Sequence, residues 1–134
     1  MKRMEDDRGK FVVIAAGYKD KMEEFMQMNP GLASRFTHKL HIDDYNEDEL
    51  LAIYKKMAQK EQYTLSPTAE FKALDVIYKM VMTKSASFGN AREMRNMLDE
   101  TIQQLSVRVS GMSPQEVTQE TYQMIMPEDI KDEL

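Results

Sequence analysis

The sequence predicts a mainly α-helical protein: a helical bundle over residues 46–134, preceded by a small α/β portion over residues 1–45 with two short strands. Three observations carry this. Near residue 46 the apolar pattern changes from short strand-like runs to the three- and four-residue spacing of helices. Helix-start signals then recur at Asn46, Ser66 and Asn90, each ahead of an apolar stripe. Before that point Phe11-Val12-Val13-Ile14-Ala15-Ala16 runs unbroken between Gly9 and Gly17, the make-up of a strand buried on both faces and covered by helices.

Taken in order, Met1 to Glu5 reads as the last turn of a helix, and Glu5-Asp6-Asp7 as a solvated, charged turn. The strand at residues 11–16 follows. Lys19 to Met28 is a short helix with Met22, Phe25 and Met26 at helical spacing. Asn29-Pro30-Gly31 stops it. The turn leaves Arg35 in a loop before a second, alternating strand at His38 to Ile42.

The bundle opens at Asn46, with Glu49 placed three residues on to close a capping box. Leu50, Leu51, Tyr54, Met57 and Ala58 form its first apolar stripe. Ser66-Pro67 starts a second helix, with Glu70 as the acid of another capping box and Phe71, Leu74, Ile77, Tyr78 and Val81 as the expected buried face. Asn90 caps a third helix striped by Met94, Met97, Leu98, Ile102, Leu105 and Val109 and ended by Gly111. Ser113-Pro114 begins a last short helical piece, and Met126-Pro127 a turn near the end.

Composition narrows the function classes. With 42% hydrophobic and 31% charged residues the chain is globular. It has no cysteine, which removes disulfides and thiolate metal sites and fits a cytoplasmic setting. A formal net charge of −5 argues against nucleic acid as a partner. No apolar run approaches the ~20 residues of a membrane span. Lys131-Asp132-Glu133-Leu134 spells a lumenal retention address, but nothing directs the chain to the lumen, so it reads as the polar end of a helix. Thirteen methionines, most of them on the apolar stripes, read as core filling rather than as a binding surface.

Few residues offer chemistry. His38 and His41 alternate faces in the expected strand and do not share a metal, so no metal site is expected. The sequence holds no Gly-x-Ser-x-Gly elbow and no Gly-rich loop ending in Lys-Ser or Lys-Thr. Two arginines stand out. Arg35 follows a rigid turn at a sheet edge, from where its planar fork could reach a phosphate across an interface. Arg92 lies in the first turn of a long helix behind Gly89-Asn90, where free amides and the helix dipole favour an anion. Arg95 lies one turn further on. The competing reading has these helix arginines paired with acids of a neighbouring helix, and the residues alone leave both open.

The motifs in their order resemble those of the AAA+ ATPases of the stage V sporulation protein K and CbbX (rubisco activase) type. The resemblance rests on Phe11 to Asp20, Asn29-Pro30-Gly31-Leu32-Ala33-Ser34-Arg35-Phe36, Asp44-Tyr45, Glu49-Leu50, Phe88-Gly89-Asn90-Ala91-Arg92 and Arg95-Asn96. It spans nearly the whole chain. It implies the C-terminal part of an AAA+ module: a remnant of the α/β subdomain at 1–45 and the helical lid at 46–134. Residues 11–16 and 38–42 would be the fourth and fifth strands of the family's sheet. The strand carrying the phosphate loop would lie between them. Arg35 falls on the arginine finger, which in this family acts on the neighbouring subunit's nucleotide. Arg92 falls on sensor 2, with Gly89 and Asn90 beside it in the nucleotide-binding corner, and Tyr18 stands near sensor 1 where Asn or Thr is commoner.

The resemblance further implies a parent ATPase, a homo-hexamer that uses ATP and Mg to remodel a protein partner. The Walker A and Walker B motifs are absent from this sequence, and in the family they lie upstream of residue 1. The chain is therefore expected to be a fragment with no bound cofactor and no hydrolysis of its own, a monomer or a strand-paired dimer. Lacking the intervening strand, residues 1–45 are expected to be poorly ordered, to pair their two strands directly, or to pair with another chain, while the bundle packs well. The alternative is a stand-alone helical protein-interaction module with no nucleotide role.

Overall fold

The computed structural model describes residues 1–132. The chain divides into two compact units, Met1–Asp43 and Asp44–Leu134. It is mainly helical, and none of its described helices is long and apolar enough to cross a membrane.

The first unit holds three short helices, α1 (Lys2–Asp6), α2 (Lys19–Met28) and α3 (Pro30–Arg35). The strands expected at 11–16 and 38–42 do not form; an isolated bridge between Arg8 and Phe11 is the only β pairing among the described residues here. The reason lies in what surrounds them. A doubly buried strand needs pairing on its edges and a layer on each face, whereas Leu32 is the only buried residue among 1–43. Val12 and Ile14 are accordingly 85% and 86% exposed. The expected direct repair, one strand pairing with the other, is not made. α2 has the expected bounds, but the Asn-Pro-Gly turn does more than stop it. The Asn29 side chain accepts a hydrogen bond from the Gly31 amide at 3.0 Å, Pro30 takes the first helical position, and α3 begins. Arg35 therefore ends a helix rather than standing in a loop.

The second unit contains α4 (Glu47–Lys60), β1 (Thr64–Leu65), α5 (Pro67–Met82), α6 (Ala91–Ser110), α7 (Gln119–Gln123), β2 (Met124–Ile125) and a 3₁₀ turn, Pro127–Asp129. The capping box of α4 is present in both directions, with Glu49 N–H to Asn46 Oδ1 and Asn46 N–H to Glu49 Oε2 each at 2.9 Å. Ser66 caps α5 through the amide of Ala69, with Pro67 at the first position. Glu70 stands one residue too far for the box and instead takes Lys55 at 2.7 Å. The final helical piece starts at Gln119 under a Thr118 cap rather than at Ser113.

α4, α5 and α6 enclose one core built around Leu50, Tyr54, Ile77, Met94, Met97 and Leu98. Of the face its large residues suggest, α5 buries Ile77 and packs Val81 partly against the core, but it turns its aromatic residues outward. Ala69, Ala73, Val76 and Ile77 are buried, while Phe71 is 77% exposed and Tyr78 is exposed too. Alanines let helix axes approach closely, and that packing outweighs the larger area of an aromatic ring. Met94 and Met97 fill the core as expected, but Met28 and Met82 are exposed.

β1 and β2 are the two strands among the described residues, a parallel pair in which Thr64 faces Met124 and Leu65 faces Ile125. This pair brings the end of the chain onto the bundle, where Ile125 and Ile130 are buried. Asp129, 1% exposed, accepts from Arg108 Nε at 2.8 Å and Nη2 at 2.9 Å and from the Met126 amide at 2.8 Å. A buried carboxylate needs such a set of donors. Of the retention-like tetrapeptide, Lys131 pairs with Glu100 at 2.6 Å, and Glu133 and Leu134 lie outside the described residues.

Candidate functional site

Each unit carries part of the expected site. In the first, the Arg35 side chain is 19% exposed and its guanidinium folds back along α3. Nη2 lies 2.6 Å from Glu5 Oε1, Nη1 donates to the Gly31 carbonyl at 2.8 Å, and Nε is buried without a hydrogen-bond partner. Gly31 makes this possible: a Cβ there would stand 2.5 Å from Arg35 Nη1. The acidic cluster read as a solvated turn is thus put to use, Glu5 on Arg35 and Asp7 on Lys10 at 2.9 Å. Tyr18 precedes α2 as its N-cap residue, with its ring about half exposed.

In the second unit Arg92 occupies the second position of α6 and is exposed. Its side chain makes no ion pair or hydrogen bond among the described residues. Arg95, one turn on, is bound to Glu61 at the end of α4. Of the two readings left open by the sequence, pairing with an acid of a neighbouring helix holds for Arg95 and, among the described residues, not for Arg92. Arg95 is the interhelical pair, and Arg92 is the cation left to face solvent.

The start of α6 differs from a simple capped helix. Asn90 has φ 52° and ψ −113°, and its side chain caps no amide of α6. Oδ1 accepts from the Tyr45 amide at 2.9 Å, and Nδ2 donates to Asp44 Oδ1 at 2.8 Å and to the Phe88 carbonyl at 3.3 Å. Both amide protons are spent. The first amides of the helix are also partly engaged, Arg92 N–H on the Gly89 carbonyl and Glu93 N–H on the Asn90 carbonyl, each at 3.0 Å. What the corner offers an anion is the Arg92 guanidinium together with the positive end of a 20-residue helix. Gly89 stays open because a Cβ there would come 2.8 Å from Glu93 Oε1. No shared metal cluster arises: among the described residues no three His, Asp or Glu side chains stand close enough to hold an ion, and His41 pairs with Asp43 at 3.0 Å.

Sequence reasoning missed the partners of these residues. Asp44 is far in sequence from both Asn90 and Lys84, and no local pattern joins it to them. The unusual backbone of Asn90 had no local signal, since the residue that caps a helix start ordinarily has extended backbone.

Comparison with known proteins bears on both units. The AAA lid domain family matches residues 46–134. The chain is similar to the protein CfxQ homolog of Guillardia theta, 37% identical over 127 residues, which are 95% of this chain and 43% of that protein. It is similar to the chloroplastic ribulose bisphosphate carboxylase/oxygenase activase of Cyanidioschyzon merolae, 39% identical over 127 residues, with the same 95% and 43% covered. It is also similar to the stage V sporulation protein K of Bacillus subtilis, 36% identical over 110 residues, covering 81% of this chain and 34% of that protein. The chain spans less than half the length of these relatives.

Proposed function

We propose, from the premise that this chain belongs to the AAA+ ATPases and carries their lid domain, that it supplies the arginine finger and sensor 2 of a ring ATPase. Residues 1–45 are then the end of the α/β subdomain and residues 46–134 the lid. Arg92 is sensor 2, contacting the phosphates bound in its own subunit. Gly89 gives the phosphates room, and Asn90 holds the corner. Arg35 is the finger, serving the nucleotide of the neighbouring subunit, and Tyr18 stands at sensor 1. The parent is a cytoplasmic homo-hexamer that couples ATP hydrolysis to remodelling a protein partner. Its ATP and Mg are held mainly by a phosphate loop and an acidic strand that this sequence does not contain, and ATP when bound supplies the phosphoryl group that is transferred to water.

One observation carries this reading. Arg92 is exposed and, among the described residues, unpaired at the start of a long helix, while Arg95 beside it is tied to Glu61. An arginine kept free at the positive end of a helix is placed for an anion and does nothing for the bundle's own stability.

The test uses full-length protein. Arg35→Ala should nearly abolish turnover with nucleotide affinity retained, since fingers contribute ~10³–10⁵ in rate. Arg92→Ala should weaken nucleotide binding or its coupling to the lid. Mixing Arg35→Ala subunits with subunits lacking the Mg-binding acid should restore hydrolysis that neither shows alone, because an intact Arg35 then meets an intact site across an interface. Mixed rings that assemble without regaining activity would refute the finger in trans, and normal turnover by Arg35→Ala would reduce Arg35 to a surface charge.

A further inference from the structure

We infer that Asp44 is a positioning residue for Arg92, clasping the loop before α6 to the segment through which the chain enters the bundle. The inference rests on the reading of Arg92 as a phosphate contact. Asp44 uses its two carboxylate oxygens on two different residues of that loop. Oδ2 accepts from Lys84 Nζ and Oδ1 from Asn90 Nδ2, both at 2.8 Å. Lys84 stands just past the Thr83 cap of α5, and Asn90 is the first residue of α6's own cap. One carboxylate thus holds both ends of the connection between α5 and α6. The Lys84 ammonium also lies 5.7 Å from the centroid of the Phe88 ring, which draws the middle of the loop to the same point.

Asn90 shows what the clasp is for. Its backbone, at φ 52°, sits where a non-glycine residue stays only when its surroundings over-determine it. The surroundings here are Asp44, the Tyr45 amide and the Phe88 carbonyl, which together take the whole carboxamide. The Asn90 torsions set the direction in which the first turn of α6 leaves the loop, and Arg92 lies two residues on. Further along, Met94 and Met97 anchor the helix in the core, so its body is fixed independently of its first turn. Asp44 therefore governs that first turn. It also joins Arg92 to residues 44 and 45, immediately before the Asn46 cap of α4. A displacement of that entry segment is felt at Asn90, and by reciprocity an anion on Arg92 tightens the clasp.

The test takes the 134-residue chain and reads two things. Amide hydrogen exchange is followed at Tyr45 and Gly89–Arg92, with Met97–Leu105 as the internal reference. Tripolyphosphate is titrated against the backbone resonances of Ala91 and Arg92. Asp44→Ala should speed exchange at Tyr45 about tenfold with the reference unchanged. It should also weaken tripolyphosphate binding several-fold. Lys84→Met, an exposed change compatible with folding, should do the same to a smaller degree, and Asp44→Asn, which can still accept from Asn90, should recover part of the loss. Lys55→Met breaks an ion pair of similar length on α4 and should move neither readout. Unchanged exchange at Tyr45 and Gly89–Arg92 in Asp44→Ala overturns the clasp. Faster exchange with undiminished tripolyphosphate binding makes it a structural tie only and overturns the positioning role. A wild-type chain whose Arg92 ignores tripolyphosphate overturns the phosphate reading and the positioning role with it. In that case exchange still reports whether Asp44 holds the corner.

Discussion

The guanidinium of Arg35 lies 2.6 Å from the Glu5 carboxylate, so the proposed finger is held inside its own unit by a side chain that is itself 64% exposed. An ion pair with so exposed a partner is worth at most about 1 kcal/mol, and the buried Nε without a partner leaves the arginine incompletely satisfied. Transfer to a phosphate would therefore cost little.

The first prediction follows in the full-length enzyme. Glu5→Gln should raise kcat by up to about fivefold, the equivalent of ~1 kcal/mol less to release the finger. Gly31→Ala should act in the same direction, since a Cβ there meets Nη1. Arg35→Lys should remain inactive, because an ammonium lacks the fork. Steady-state ATP hydrolysis checks all three, and a fall in kcat for Glu5→Gln would show that the pair orients the finger instead of holding it back.

The second prediction concerns the chain by itself. It should hydrolyse no ATP and bind ATP-Mg only weakly, with the binding lost as salt is raised, since one guanidinium and one helix end face the phosphates. Calorimetry showing micromolar affinity would contradict it.

The third prediction separates strain from hydrogen bonding at Asn90. Asn90→Ala loses the carboxamide bonds and keeps an unfavourable φ, whereas Asn90→Gly loses the same bonds but accepts φ 52° readily. Thermal unfolding should show both less stable than wild type, with alanine worse than glycine by about 1 kcal/mol.

The fourth prediction is an asymmetry within the Arg108–Asp129 pair. Arg108→Ala leaves Asp129 charged and buried, at a cost of about 3–5 kcal/mol. Asp129→Asn leaves Arg108, whose side chain is 21% exposed, able to reach water, and should cost less. Denaturant titration of the two variants measures the difference.

The fifth prediction is alkaline instability through Tyr54. Burial pushes its hydroxyl from 10.0 up to about 12. Thr101 gives its own proton to the Met97 carbonyl at 2.7 Å, so Tyr54 is the donor in their 2.8 Å bond. A raised folded-state value means this contribution is complete below pH 10 and is lost as pH climbs towards 12, on the order of 2 kcal/mol. Tyr54→Phe should flatten that decline in an unfolding series from pH 9 to 12.

The parts of this molecule legible in the sequence are those set by neighbours along the chain. The Asn46–Glu49 box, the Ser66-Pro67 start, the bounds of α2 and the stripe of α6 all come from residues within one turn of each other. Placing Arg92 in the first turn of α6 belongs with them. The inward face of α5 was legible at Ile77 but not at Ala69 and Ala73, which carry little hydrophobic signal and matter only once α4 lies against them. The strands expected at 11–16 and 38–42 do not form, because a strand exists only with partners, and residues 1–43 make only the isolated Arg8–Phe11 bridge. Asp44 with Asn90, Arg108 with Asp129, and β1 with β2 join residues remote in sequence, where periodicity is silent.

The pairing of Thr64–Leu65 with Met124–Ile125 has a consequence for how the molecule is made. During synthesis α4, α5 and most of α6 can emerge from the ribosome and find one another while the stretch that seals them is still inside it. Until Ile125, Asp129 and Ile130 arrive, the side of the core they cover stays wet and Arg108 has no carboxylate. Non-local closures of this kind are slow compared with helix formation. The nascent bundle therefore passes through an unsealed interval, and that interval is when a chaperone or a protease would find it.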